Sequence, residues 1–278
     1  MIINCKGALV DLSIPKIMGI LNVTPDSFFD GGNYISKKSV LQQCEKMLND
    51  GANFIDIGAY SSRPGAKDVS ETEETERLLN VITPIMKEFP DILLSVDTFR
   101  SSVAKASIEA GAAIVNDISG GDLDDNMFAT VSELQVPYIL MHMKGTPQNM
   151  QTHTGYKNIT KEVNLHLSEK VYKARSYGIN DIILDPGFGF AKTLEENYEL
   201  MNHMEMLHFF DLPILVGISR KSMIYKLFDT TPDNALNGTS ILNTIALQKR
   251  AHILRVHDVK EASECVTIWN QLNATTIS

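Results

Sequence analysis

What this sequence lacks first is positive charge. Its 25 lysines and arginines are outnumbered by 34 aspartates and glutamates, giving a formal net charge of −9. Such a field does not draw in nucleic acid or an anionic membrane, so neither is expected as a partner. Cysteine is scarce as well: Cys5, Cys44 and Cys265 are odd in number and widely spaced. That pattern argues against a disulfide framework and a structural zinc site, and it suits a reducing cytoplasm. No apolar run approaches the roughly 20 residues that a membrane span needs. The N-terminus MIINCKGALVDL has no basic segment leading into an apolar one, so no signal peptide is expected. Linkers rich in Pro, Gly or Ser are also missing. The 278 residues therefore read as one domain, with 1–14 as an N-terminal hairpin and 15–278 as the main body.

What the chain does have is alternation. Short apolar, β-branched runs recur at KIMGIL (16–21), FIDIG (54–58), ILLSVD (92–97), AAIVND (112–117), PYILMH (137–142), DIILD (181–185), PILVGI (213–218) and HILRVH (252–257). They do not alternate apolar with polar, as expected of parallel strands covered on both faces. Helical patterns lie between them. Val40, Leu41, Cys44, Met47 and Leu48 form one stripe, stopped by Gly51. Ser70 and Glu73 have capping-box spacing, Pro84 should kink or restart that helix, and Ser101 can cap the next. Eight strand-then-helix units predict an α/β fold of the (β/α)8 TIM-barrel type, with a short N-terminal β-hairpin (IINC and ALVDL) plugging one end. An open sheet with an appended segment is the other arrangement considered.

In such a barrel the chemistry stands at the carboxyl ends of the strands. Those ends carry Asn22, Ser61-Ser62-Arg63-Pro64-Gly65, Asp97, Asn116-Asp117, Met141-His142-Met143, Asp185-Pro186-Gly187-Phe188-Gly189-Phe190, Ser219-Arg220-Lys221 and Arg255-Val256-His257. An Asp or Asn there can simply cap the following helix. Asp185 is a poor candidate for that, because Pro186-Gly187 follows it. Arg255 and His257 are two residues apart, so in a strand they share a face. Two such donors at a strand tip are costly to bury without an anion. Closure would set the last strand beside the first, so a phosphate or pyrophosphate is expected near Arg255, His257 and Asn22, with Mg2+. On the opposite arc, Asp97, Asn116 and Asp185 could accept hydrogen bonds from the N–H groups of a heterocycle, with Lys221 donating to it. The loop Thr24–Asn33, with Phe28 and Phe29 and its glycines, reads as a lid that excludes water. Its phenylalanines could instead be core filling.

The stretches GILNVTPDSFFDGG, SSRPGA (61–66), SVDT (95–98), NDISGG (116–121), LMHMKGTPQNMQ (140–151), DPGFGF (185–190), GISRKS (217–222), NGTS (237–240) and RVHDV (255–259) together closely resemble the dihydropteroate synthases. The resemblance implies condensation of 6-hydroxymethyl-7,8-dihydropterin pyrophosphate with p-aminobenzoate, giving 7,8-dihydropteroate and pyrophosphate. It implies Asn22 as a ligand to Mg2+, and Ser62, Arg255 and His257 on the phosphates, with Arg63 and Met141 also among the substrate-binding residues. Asp97, Asn116, Asp185 and Lys221 would line the pterin pocket. Pro64, Phe190, Lys221 and Ser222 would shape the p-aminobenzoate pocket. Asp97, Asp185, Lys221, Arg255 and His257 would carry the catalysis, in a cytoplasmic homodimer. Two positions depart from the family pattern: Tyr60 stands where an acidic residue is usual, and Ala191 where glycine is common. Two other functions share the pocket: a corrinoid-linked methyltransferase using methyltetrahydrofolate, and a pterin-binding barrel without catalysis.

Overall fold

The computed structural model describes residues 1–23, 37–60 and 69–274. The expected lid Thr24–Asn33, with Phe28 and Phe29, lies outside the described residues, as do Ser62, Arg63 and Pro64. Strands β1 (Ile2–Cys5) and β2 (Ala8–Asp11) form an antiparallel hairpin. Eight parallel strands follow: β3 (Lys16–Asn22), β4 (Phe54–Gly58), β5 (Leu94–Asp97), β6 (Ile114–Asp117), β7 (Tyr138–Met141), β8 (Ile182–Asp185), β9 (Leu215–Val216) and β10 (Ile253–Val256). They pair in the order β8-β7-β6-β5-β4-β3-β10-β9. A bridge from Leu184 to Ile214 joins β8 to β9 and completes the ring. The last strand lies beside the first, with Ile253 opposite Lys16 and Val256 opposite Gly19.

The helices are α1 (Lys37–Asn49), α2 (Glu71–Glu88), α3 (Ser101–Glu109), α4 (Met127–Leu134), α5 (Ile159–Ser176), α6 (Leu194–Asn202), α7 (Ser222–Tyr225), α8 (Leu236–Gln248) and α9 (Val259–Ala274). None of the described helices is long and apolar enough to cross a membrane. Two local expectations need correction. Ser101 is not a cap but the first residue of α3, and its backbone N–H donates to Asp124 Oδ2 at 2.7 Å. The acceptor comes from the loop after β6, which no local pattern around Ser101 could announce. Pro84 does not restart α2, which runs on to Glu88. Ser70 does cap that helix by accepting from the Glu73 N–H. The Glu73 side chain turns to Arg77 instead of returning to the cap.

Side chains alternate along each strand, and the two sets have different neighbours. Ile17, Leu21, Ile55, Ile57, Leu94, Val96, Val115, Leu140, Leu184, Val216 and Leu254 pack outward with the helices. Met18, Phe54, Ile114, Ile139, Ile183, Leu215 and Ile253 point inward near the strand starts. Ile3, Cys5 and Leu12 of the hairpin segment pack onto that second cluster, so the hairpin closes the amino end of the barrel. With that end filled by apolar groups, the interior's polar positions fall nearer the carboxyl end.

Leu12 is buried in this plug. Leu12→Ala is expected to lower the unfolding free energy by about 2–4 kcal/mol, the usual loss for a buried leucine with partial relaxation. The midpoint of urea unfolding measures it. An unchanged midpoint would mean the hairpin is not part of the cooperative core.

Candidate active site

The upper half of the barrel interior continues the same inward positions with polar groups. Above Phe54 stands Asp56, above Ile114 stands Asn116, above Ile183 stands Asp185 and above Ile253 stands Arg255, each by the two-residue strand period. Asp97 closes β5 on the same interior side.

Asp56 is fully buried, and its Oδ2 accepts from Arg255 Nε at 2.6 Å and from Asn116 Nδ2 at 2.9 Å. Arg255 Nη2 donates to Asp97 Oδ2 at 2.7 Å. One guanidinium therefore ties two carboxylates on neighbouring strands, and the first carboxylate ties in the Asn116 amide. The Asp56 Oδ1 is buried with no hydrogen-bond partner among the described residues. Burial pushes the Asp97 carboxyl up to about 7; Arg255 opposes this and the Asp56 charge adds to it. Arg255 is held firmly protonated by Asp56 and Asp97 despite its own burial.

A second group meets over Gly217. A Cβ added there would lie 3.9 Å from each of Asp185 Oδ2, Lys221 Nζ and the Arg255 Cβ, so the missing side chain leaves room where they converge. Burial raises the Asp185 pKa against the pull of Lys221, and lowers Lys221 to about 8 against the pull of Asp185. Lys221 Nζ also donates to the Phe188 carbonyl at 2.6 Å and lies 4.5 Å from the centre of the half-buried Phe190 ring. Met141, with Ile118, Met143, Met150 and Ala191, forms an apolar patch against which Phe190 packs.

At the outer edge, exposed His257 has its Nδ1 3.1 Å from the buried Ser219 hydroxyl, which also accepts the His257 backbone N–H at 3.2 Å. Asn22 ends β3, half-exposed and paired with Gly58. Ser222 begins α7 directly after Lys221. Arg220 faces away from the mouth and makes a two-point ion pair with Asp258, 2.8 Å at each contact.

The structure thus brings together Asp97, Asn116, Asp185, Lys221 and Arg255. It changes one expectation: Arg255 is not across the mouth from the heterocycle-reading acids but bonded to one of them. The anions that its burial demanded are Asp56 and Asp97. Asp56 itself escaped sequence reasoning, although it is the single charged residue inside the run FIDIG. Asp117 turns from the mouth and accepts from Tyr138 Oη, the Ser119 N–H and hydroxyl, and the Gly121 N–H, so it shapes the turn after β6. His142 is likewise buried behind the rim, its ring 4.8 Å from that of His166. Tyr60 accepts from Gln148 Nε2 at 2.6 Å and stands edge-on to Phe99, with Arg100 over its ring.

Comparison with known proteins follows the same lines. Residues 18–257 match the family model described as pterin binding enzyme. The dihydropteroate synthase of Escherichia coli K12 is 42% identical over 265 residues, which cover 95% of this chain and 93% of that one. The Yersinia pestis dihydropteroate synthase, solved in complex with a sulfonamide drug, superposes with a TM-score of 0.93 at 41% identity, covering 99% of this chain and 100% of the other. That of Xanthomonas albilineans with 4-aminobenzoic acid gives 0.92 at 35% identity, covering 99% and 98%. The chain belongs to the pterin-binding enzymes, and within them to the dihydropteroate synthases.

Proposed function

We infer that the protein condenses 6-hydroxymethyl-7,8-dihydropterin pyrophosphate with p-aminobenzoate to give 7,8-dihydropteroate and pyrophosphate, in folate synthesis. A further structure of the Xanthomonas albilineans enzyme holds 7,8-dihydropteroate, at 33% identity to this chain. The observation that carries the site assignment is the convergence of Asp185, Lys221 and Arg255 over Gly217. The carboxylates of Asp97 and Asp185 at the mouth face the cations of Arg255 and Lys221, so the mouth favours a ring rich in N–H donors and able to carry positive charge.

In this reading Asp97, Asn116 and Asp185 accept from the pterin N–H groups, Lys221 donates to a ring acceptor, and Met141 supplies an apolar wall. The C–O bond to pyrophosphate breaks and the leaving group takes the electron pair. The arylamine nitrogen bonds to the pterin methylene carbon and gives up a proton. Asp97 and Asp185 offset the positive charge that develops on the pterin, because preorganised groups act most where charge grows. Arg255 and His257, with Ser62 and Arg63, take the pyrophosphate. Phe190, Pro64, Lys221 and Ser222 border the arylamine. No protein nucleophile is needed.

The reading includes Mg2+, held by Asn22. Among the described residues no cluster of three His, Cys, Asp or Glu side chains could hold a metal. A single neutral amide oxygen on a half-exposed strand tip does suit an ion whose charge is met mainly by phosphate oxygens. The ion would neutralise charge on the leaving pyrophosphate. A cytoplasmic homodimer completes the proposal; the exposed apolar residues Leu227, Phe228, Ile241 and Ile268 offer contact surface for the second copy.

A coupled assay tests the reaction: 7,8-dihydropteroate should form only when pterin pyrophosphate, p-aminobenzoate and Mg2+ are all supplied, and methyl transfer from methyltetrahydrofolate instead would overturn it. Arg255→Ala and Asp185→Asn should each lower kcat/KM by roughly 100-fold or more with unchanged circular dichroism, the scale of losing one charge-stabilising contact. Wild-type turnover in either would remove that residue from the mechanism.

The pH profile is a separate check. Asp97 must be ionised and Lys221 protonated, with pKa values of about 7 and about 8. For the pterin substrate, kcat/KM should therefore fall below about 7, where Asp97 gains its proton, and above about 8, where Lys221 loses its own. Lys221→Arg should remove the alkaline limb. A limb that stays in place would assign it to another group.

A further inference from the structure

Behind the mouth sits a lysine that the reaction has not used. Lys192 is 4% exposed. Its Nζ lies 2.8 Å from the Gly187 carbonyl, 3.0 Å from the Phe190 carbonyl and 3.0 Å from His142 Nδ1. Burial lowers the Lys192 pKa to about 7 against the pull of Asp185; in the protonated form the ammonium has three N–H donors and no lone pair, so these neutral acceptors use its full set. His142 Nδ1 must then accept, which places the ring proton on Nε2. Burial and the Lys192 charge keep that imidazole neutral, with its pKa far below the ordinary value.

Both carbonyls belong to the turn 186–191, and its backbone is unusual. Gly187 has φ 68°, and a Cβ there would stand 2.0 Å from the His142 carbonyl oxygen. Ala191 is fully buried with φ 48°, a conformation that disfavours a side chain. The far side of the turn is the face already described, where Lys221 meets the Phe188 carbonyl and the Phe190 ring. Lys192 therefore grips from behind the same few peptide units that present Phe190 in front.

We propose that Lys192 is a positioning residue for p-aminobenzoate: its ammonium locks the 186–191 turn in the shape that holds the Phe190 ring and the Phe188 carbonyl against Lys221. The proposal rests on the reading of Phe190 and Lys221 as the arylamine border. Lys192 touches neither substrate and acts through backbone carbonyls. The pterin side shares part of this support, since the Gly187 N–H of the turn donates to Asp185 Oδ1 at 2.7 Å, but it has supports of its own: Arg255 bonds to Asp56 and Asp97 without the turn, and the Asp185 backbone pairs in the β8 ladder.

The experiment varies each substrate in steady state for Lys192→Met, Ala191→Gly and the double variant. Lys192→Met should raise the KM for p-aminobenzoate roughly tenfold or more, the scale of losing charge-assisted hydrogen bonds. The KM for pterin pyrophosphate should rise by a clearly smaller factor, because Arg255, Asp97 and Asn116 keep their bonds. Ala191→Gly alone should stay near wild type. In the double variant glycine removes the strain that Lys192 opposed, so part of the p-aminobenzoate KM should return. An equal rise in both KM values, or no rise, would overturn the proposal. If Lys192→Met does not fold, His142→Phe replaces it: loss of one acceptor should give a smaller but still selective rise, and unchanged p-aminobenzoate KM would overturn the proposal. Wild-type turnover tests the reaction itself, and only the ratio of the two KM values tests Lys192.

Discussion

The arrangement of the mouth depends on one buried carboxylate. Asp56 lies inside the barrel with no solvent contact, and its Oδ2 serves both Arg255 and Asn116. A charge buried there is costly, and the guanidinium with the Asn116 amide offsets much of that cost. The pairing works in the other direction too. Arg255 can stand in a closed barrel because two carboxylates meet it, and its fork geometry then fixes where it can point. Three strands, β4, β5 and β10, are thereby coupled through one side chain, and β6 joins through Asn116. The Asp56 Oδ1, buried with no hydrogen-bond partner among the described residues, is the kind of local cost that folds retain where function requires it.

The rest of the fold makes that cost bearable. Outward strand residues and helices form one apolar shell, while the lower interior and the hairpin form a second. Only the upper interior is polar, and it lies at the strand ends, where backbone groups are still fixed by the ladder. Binding groups placed on strands rather than on loops keep their geometry before any ligand arrives. Asp97 and Lys221 are drawn toward neutrality by burial, so each is readily tuned by a charged substrate.

Much of this was legible in the sequence, for identifiable reasons. The eight buried strands announce themselves as apolar runs, and barrel closure makes their carboxyl ends one place. That suffices to bring Asp97, Asn116, Asp185, Lys221 and Arg255 to a common rim. What stayed hidden are contacts that no local pattern encodes. Asp56 meets Arg255 across 199 positions, and Lys192 meets His142 across 50. The placement of Arg255 beside Asp97 was misjudged because strand order sets neighbours, whereas a long guanidinium reaches across the barrel to β5. Ser101 misled for a similar reason: its N–H partner, Asp124, comes from the following unit. A charged residue within an otherwise apolar strand, as in FIDIG, is the one signal that could have revealed the brace.

The central claim is that Asp56 acts on the pterin substrate only through the groups it holds, chiefly Arg255. A double-mutant cycle measured as pterin pyrophosphate affinity by calorimetry tests it most directly. Asp56→Asn and Arg255→Ala should each weaken binding, and the double variant should bind about as well as Arg255→Ala alone, since coupled residues do not add. Losses that simply add would contradict the account, because Asp56 would then act on the site by a route that does not pass through Arg255.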